Sequence, residues 1–234
     1  MIKLGITFDG RHSSDYDLRL VNRIIGNPNK IKTKERVPYS NEMYDFSAIY
    51  GGQEYEERTL TYTFNVKDYN KVDLELKKTA VINWVMQSNK KIMLVDDYIP
   101  GYYFMAEVED GPDFSELRYN GRITINFTAY PFRISELEEG NDIWDTFNFL
   151  LDVAQITDFN VNGTINTTLY NAGVAALYPI IRSTAPMEIV KNGITYTVPI
   201  GESKSLDFYL STGENPITIN GNGNISFHFR KELI

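Results

Sequence analysis

The stretch RITINFTAYPFRI, residues 122–134, decides how this chain is read. Ile123, Ile125, Phe127 and Ala129 alternate with Thr124, Asn126, Thr128 and Tyr130, the period-two pattern of a strand with one buried face. Pro131 follows, and a residue without an N–H cannot continue a ladder. Beyond it comes SELEEGND (135–142), polar, acidic and containing Gly140. The pattern predicts a last strand followed by a change of domain: an N-terminal domain over 1–134, a linker over 135–141 and a C-terminal domain over 142–234. With domains commonly ~100–200 residues long, 234 residues leave room for both.

Working back from that strand, Arg58 to Val66 alternates in the same way, with Leu60, Tyr62, Phe64 and Val66 directed inward. Between the two strands, Tyr69 to Asn89 carries a helical period with Leu76, Ala80, Val81, Trp84 and Val85 on a common face, and Asp68 or Asn70 stands where an N-cap belongs. Residues 91–110 read as two strands joined at Pro100-Gly101. At the start, Ile2 to Phe8 is a short strand and Tyr16 to Ile25 a second one. GNPN (26–29) is a turn, and KIKTKERVPY (30–39) is an edge-like strand completing a hairpin. Ser40 to Glu57, with Gly51-Gly52, is expected to be a long loop, a class of segment that often carries function.

Working forward, DIWDTFNFLLDV (142–153) fits a short helix or a strand equally well. The remainder is a run of short strands broken by turn signals. Asn162-Gly163 and NGNGN (220–224) are read as turns, and Asn192-Gly193 as a two-residue hairpin because both positions tolerate φ > 0. Such spacing means a sandwich or barrel. The fold class is therefore mainly β: a β-sandwich-like N-terminal domain with one α-helix, then a C-terminal β-sandwich.

Composition removes several function classes. The chain has no cysteine, which excludes disulfides and thiolate metal sites, and its two histidines, His12 and His228, lie far apart in sequence. No cofactor or metal is expected. Neither an apolar leader nor a ~20-residue apolar run is present, so membrane insertion is not expected. Phosphate-loop and serine-elbow motifs are also missing, and the Asp96-Asp97 pair sits where aspartates favour turns, so an enzyme is not expected. The alternative of a cell-wall hydrolase using those two carboxylates is the weakest of the readings considered. Net charge is −8, and residues 135–234 hold −7 of it, with 5 basic and 12 acidic side chains. The first part is near neutral but contains a basic run, Arg19 to Arg36, opposed by Glu35 alone.

Taken in order, Phe8-Asp9-Gly10, the Ser13 to Leu18 continuation, Tyr55-x-x-Arg58, the helix near Trp84, Leu94 to Pro100 and Phe127 to Phe132 resemble the distal tail protein family of siphophages that infect Gram-positive bacteria. DIWDTFNF, Leu169 to Gly173 and the Pro179-Ile-Ile strand look like that family's galectin-like C-terminal sandwich. The resemblance implies a structural tail component: a homo-hexameric ring acting as a hub between the tail tube protein and the tail-associated or tip protein of the baseplate. Receptor-binding proteins would attach outside and DNA would pass through the lumen without specific binding. The place implied is the virion tail tip, after assembly in the host cytoplasm. An alternative is a carbohydrate-binding module that attaches the virion to host cell-wall glycan. On the ring reading, the basic hairpin plus the long loop, Lys30 to Gly52, supply the oligomer interface, with Lys32, Lys34, Arg36, Tyr39, Met43 and Tyr44 as its candidate residues.

Overall fold

The protein is described by a computed structural model covering residues 4–47, 49, 52–116, 120–144 and 147–234. Ile2 and Lys3 of the expected opening strand, Ala48, Tyr50 and Gly51 of the expected loop, and Asp145 and Thr146 of the aromatic segment lie outside the described residues. The fold is mainly β, and the chain forms two compact units, Met1–Arg133 with Ile234, and Ile134–Leu233.

In the first unit, β1 (Ile6–Phe8), β2 (Arg11–His12), a 3-10 turn (Ser13–Tyr16) and β3 (Arg19–Ile25) come first. Then follow β4 (Lys34–Arg36), β5 (Met43–Asp45), β6 (Arg58–Lys67), α1 (Lys71–Met86), β7 (Ile92–Asp96), β8 (Tyr102–Glu107), β9 (Asp113–Glu116) and β10 (Asn120–Ala129). β11 (Arg133–Ser135) leads into the second unit. The main sheet runs β2-β1-β7-β8-β10-β6-β3, with β9 also paired to β10. β10 is thus last in sequence and inner in the sheet, and its ten residues pair without a break from Asn120↔Lys67 to Ala129↔Arg58. Ile123, Ile125, Phe127 and Ala129 are buried, as the alternation predicts. Phe127 meets Phe8 and Tyr62 edge-on, with ring centroids 5.0 and 5.9 Å apart.

The helix starts where Asn70 Oδ1 accepts from Val72 N at 3.0 Å, a cap that satisfies one of the orphan donors of its first turn. Its buried face is Leu74, Val81, Trp84 and Val85. Leu76 and Ala80, expected on that face, are exposed: the i, i+7, i+11 row through Leu74, Val81 and Val85 sets the contact and turns Leu76 outward. Trp84 Nε1 donates to Phe8 O at 2.9 Å and its indole stacks on Tyr16, tying the helix to the start of the chain.

In the second unit, β12 (Asp158–Asn171), β13 (Ile180–Ser183), β14 (Met187–Lys191), β15 (Ile194–Val198), β16 (Gly201–Ser203) and β17 (Gly213–His228) form a sheet ordered β15-β14-β17-β13-β16, with β12 along β17; β18 (Glu232–Leu233) closes the chain. The expected turns at Asn162-Gly163 and NGNGN are not turns. β12 and β17 pair continuously from Asp158↔Ser226 to Asn171↔Gly213, with Asn162 opposite Asn222 and Gly163 opposite Gly221. Flexible residues facing each other let both strands bend together while the ladder survives. β14 pairs with one half of β17 and β13 with the other, and Ile189, Ile217, Ile219, Ile181, Ile225 and Phe227 share a single core. The expected hairpin at Asn192-Gly193 is present, with φ of 51° and 78° and Lys191 opposite Ile194.

Residues 135–141, expected to be a linker, are bonded to the second unit: Ser135 N donates to Lys231 O at 3.1 Å and Glu139 N to Phe229 O at 2.9 Å. Among the described residues of 142–153 there is neither helix nor strand; a turn forms at Asn148, whose carbonyl accepts from Leu151 N and Asp152 N.

A side chain at the bend has no room. Gly221 has φ of 147°, and a Cβ there would lie 2.8 Å from Met187 Cγ. Gly221→Ala is expected to cost the second unit about 1–3 kcal/mol through strain and crowding. In calorimetry this appears as one transition lowered and the other unmoved.

Candidate assembly interface

The sheet leaves one segment outside its core. β3 ends at Ile25 and β6 begins at Arg58, and the described residues between them form an arm. Its base is firmly held. Gly26 N donates to Thr59 O at 2.9 Å, an approach so close that a Cβ on Gly26 would lie 2.6 Å from that oxygen. The buried Arg58 donates from Nε to Gly26 O at 2.6 Å and from Nη1 to Pro131 O at 3.1 Å, and it lies over the Phe104 ring.

Above the base the arm is a hairpin. Lys30 bridges Tyr55, Ile31 N donates to Glu54 O, and Glu56 N donates to Asn29 O. Farther out Phe46 N donates to Thr33 O, and β4 pairs with β5 through Lys34↔Asp45, Glu35↔Tyr44 and Arg36↔Met43. The sequence reading paired the 30–39 strand with Tyr16–Ile25. Instead β3 takes the edge of the main sheet beside β6, and β4 finds its partner inside the segment expected to be a loop. At the far end Tyr39 takes the left-handed φ of 62° and is fully exposed.

The register sorts the side chains. Directly opposed residues share a face, so Lys34, Arg36, Met43 and Asp45 lie on one side and Glu35 and Tyr44 on the other. Lys32 belongs to the first side, since its Nζ lies 3.2 Å from Asp45 Oδ2; Phe46 belongs to the second, its ring 6.1 Å from that of Tyr44. The hairpin thus gathers the six expected interface residues on one arm. Lys32, Lys34, Arg36 and Met43 share a face, Tyr44 is on the opposite face and Tyr39 at the tip. Lys34 and Arg36 have no carboxylate partner among the described residues, and both faces are exposed. An isolated two-stranded hairpin is marginal in water.

Other polar clusters are occupied by structural work. Asp96 is fully buried, accepts from Tyr62 Oη at 2.9 Å and Tyr98 N at 2.9 Å, and lies 3.1 Å from Arg23 Nε. Burial, then the charge on Asp96, pushes the Tyr62 phenol up. Asp97 accepts from Gly5 N at 2.8 Å and meets His12 Nε2 at 3.0 Å. His228 lies between Ser226 Oγ, 2.9 Å from Nε2, and Glu138 Oε2, 3.0 Å from Nδ1. That relay has the order of a nucleophile, base and orienter, but Ser226 lies in an inner strand paired on both sides, which commits the backbone around it to the ladder. Its effect is to clamp residues 136–139 onto β17. Sequence reading missed this clamp because Glu138 and His228 are 90 residues apart.

Tyr62→Phe leaves one oxygen of a buried carboxylate short of a donor and is expected to cost about 1–3 kcal/mol in urea unfolding. On the arm, Asp45 is held at about 2 by the Ser47 hydroxyl and amide first and by Lys32 after them. Because the folded value lies below the ordinary 3.8, these bonds support the arm above pH 3.8 and are lost as pH falls from there through about 2. A carboxyl NMR titration of Asp45 should show that midpoint, and Ser47→Ala should move it back up.

Residues 48–129 match the family model of the phage tail protein RIFT-related domain. The matched residues take in β6, α1 and β7 to β10, while most of the arm and all of the second unit lie outside them. No curated protein matches the chain in sequence. Among solved structures the chain is similar to the Dit protein (gp 19.1) of SPP1, described as a paradigm of the hub adsorption apparatus in phages infecting Gram-positive hosts. Identity is 13%, the TM-score is 0.68, and the match covers 97% of this chain and 98% of that one. A chain of the phage p2 baseplate, in its activated conformation with Sr, aligns over 97% of this chain and 96% of its own at 10% identity and a TM-score of 0.39. Residues 48–129 of the first unit are therefore similar to the phage tail protein RIFT-related domain, and over nearly its whole length the chain shares the fold of the SPP1 Dit protein.

Proposed function

We propose that the protein is a structural component of a phage tail whose copies close into a homo-hexameric ring through the arm. The observation that carries this reading is the arm itself: a hairpin anchored at its base by Gly26 and Arg58, with both faces exposed and two cations left without carboxylates among the described residues. Such a segment gains most from a neighbour, because its own burial is small. A ring is the closed form of a head-to-tail contact, in which one surface of each copy meets a different surface of the next.

In this role the ring is a hub at the tail tip. It joins the tail tube protein to the tail-associated or tip protein, the second units hold receptor-binding proteins, and DNA passes through the lumen. The near-neutral first part suits a conduit, since a strongly basic lumen would retain the polyanion. The ring assembles in the host cytoplasm and ends in the virion. This reading has the same direction as the hub description of the SPP1 protein whose fold the chain shares.

Light scattering on the purified chain tests it. The expected result is a species of about six copies, reduced to a monomer by the combined Lys32→Glu, Lys34→Glu and Arg36→Glu substitutions with the unfolding temperature unchanged. Full assembly of the charge-reversed chain would sink the arm as the ring contact.

A further inference from the structure

The second unit buries a lysine against a carboxyl. Lys231, which follows β17 and precedes β18, has a side chain only 6% exposed, and its Nζ is in contact with Asp152 Oδ1 and 3.4 Å from Leu151 O. The Asp152 side chain is itself 18% exposed. Its other oxygen, Oδ2, accepts from Asn148 N at 2.8 Å, and its own N donates to Asn148 O at 2.8 Å, so the carboxyl is fixed with Oδ1 toward the amine. A second carboxyl reaches the same place from the 135–139 segment. Ser135 N donates to Lys231 O at 3.1 Å and Glu139 N to Phe229 O at 2.9 Å, which lays that segment beside the lysine. Glu138 is engaged with His228 and Arg230. Glu139 Oε2 accepts from Gln155 Nε2 at 2.9 Å, and the side chain lies near enough to Lys231 for each charge to act on the other's proton.

Burial decides the protonation. It pushes the Lys231 amine down, against the charge of Glu139, and pushes the Glu139 carboxyl up, against the Gln155 bond and the charge of Lys231. An ion pair out of water is costly, and passing one proton from Lys231 to Asp152 replaces it with a neutral amine and a neutral acid. A desolvated lysine amine is a nucleophile, and here it is already held against its target. Lys191, the other buried lysine among the described residues, meets Tyr209 O and the Phe208 and Tyr209 rings instead.

We propose that Lys231 and Asp152 condense within the folded chain into an isopeptide bond, with Glu139 as the proton carrier. The Nζ lone pair attacks Cγ of Asp152, and the negative charge that develops on Oδ2 is met by the Asn148 N–H. Glu139 gives its proton to the Oδ1 hydroxyl, which leaves as water, and takes one from Nζ. A C–N bond forms, a C–O bond breaks, and Glu139 ends as it began. No other reactant is needed. The bond closes residues 152–231, which hold β12 to β17, into a covalent loop, a staple in a chain that has no cysteine with which to make a disulfide. It is independent of ring closure.

Intact mass spectrometry of the purified full chain tests the bond. The expected mass is below that of the sequence by a single water, and digestion should release a branched peptide carrying both Asp152 and Lys231. Lys231→Arg should restore the full mass. Glu139→Gln, which keeps a side chain beside Gln155 but cannot carry the proton, should retain the water with an unchanged circular dichroism spectrum. In Asp152→Asn the leaving group is ammonia, so that chain should be lighter by ammonia instead of water. A wild-type chain still at full mass after prolonged incubation in its folded state overturns the bond. So does a loss of water that persists in Lys231→Arg, since it then comes from an aspartate closing on its own backbone. A Glu139→Gln chain that loses water as fast as the wild type overturns Glu139 as the proton carrier.

Discussion

The unbroken ten-residue ladder between β6 and β10 is the constraint on which the first unit depends. It aligns Leu60, Tyr62, Phe64 and Val66 with Phe127, Ile125, Ile123 and Gly121, so that one sheet face is apolar throughout. Burial of side chains of this size is worth ~1.5–3 kcal/mol each, enough for the ladder's inward face to outweigh any local preference of the segments attached to it. The helix joins that core by four residues, and β1 and β7 extend it. The ladder also places the root of the arm, because Gly26 and Arg58 are fixed by the end at which β6 begins.

A rigid root and an unburied arm are a division of labour. Among the described residues of the arm none belongs to the main core cluster, and its polar bonds, from Thr33, Ser40, Asp45 and Ser47, hold its outer part in shape. The second unit shows the same separation. Its core is complete within a bent sheet, yet Asn148 and Asp152 fix a turn whose aromatic side chains stay outside it. Each unit thus spends a few hydrogen bonds on presenting a surface that a monomer leaves in water. Charge is unevenly placed along the chain: residues 1–134 carry 18 basic and 19 acidic side chains, and residues 135–234 carry 5 and 12.

The buried polar groups follow the ordinary rule that such groups are paired. Asp96 has Tyr62, Tyr98 N and Arg23; Arg58 has two carbonyls; Lys191 lies over the Phe208 and Tyr209 rings and donates to Tyr209 O, with burial lowering its affinity for the proton. These are devices for closing a core around a polar atom. The acidic pair Asp96-Asp97, which composition alone left open to a catalytic reading, is divided between two such tasks: one carboxylate inside the sheet and one tying His12 to Gly5.

What the sequence by itself determined is whatever depends on a residue and its near neighbours. Period-two alternation placed β6 and β10, Asp68 or Asn70 marked the start of the helix, Asn192-Gly193 placed a hairpin, and loose motifs in order pointed to the family whose fold the chain has. Only the tertiary structure decided what depends on a distant partner. Asn162-Gly163 and NGNGN look like turns because glycine permits φ > 0, yet a permissive residue bends a ladder instead of ending it when an equally permissive one faces it, as Gly163 faces Gly221. The strand at 34–36 alternates well enough to pair with either neighbour, and the choice fell to β5 once β6 had taken β3. Leu74 rather than Leu76 entered the core because the sheet, not the helix, fixes which row of an amphipathic face is covered.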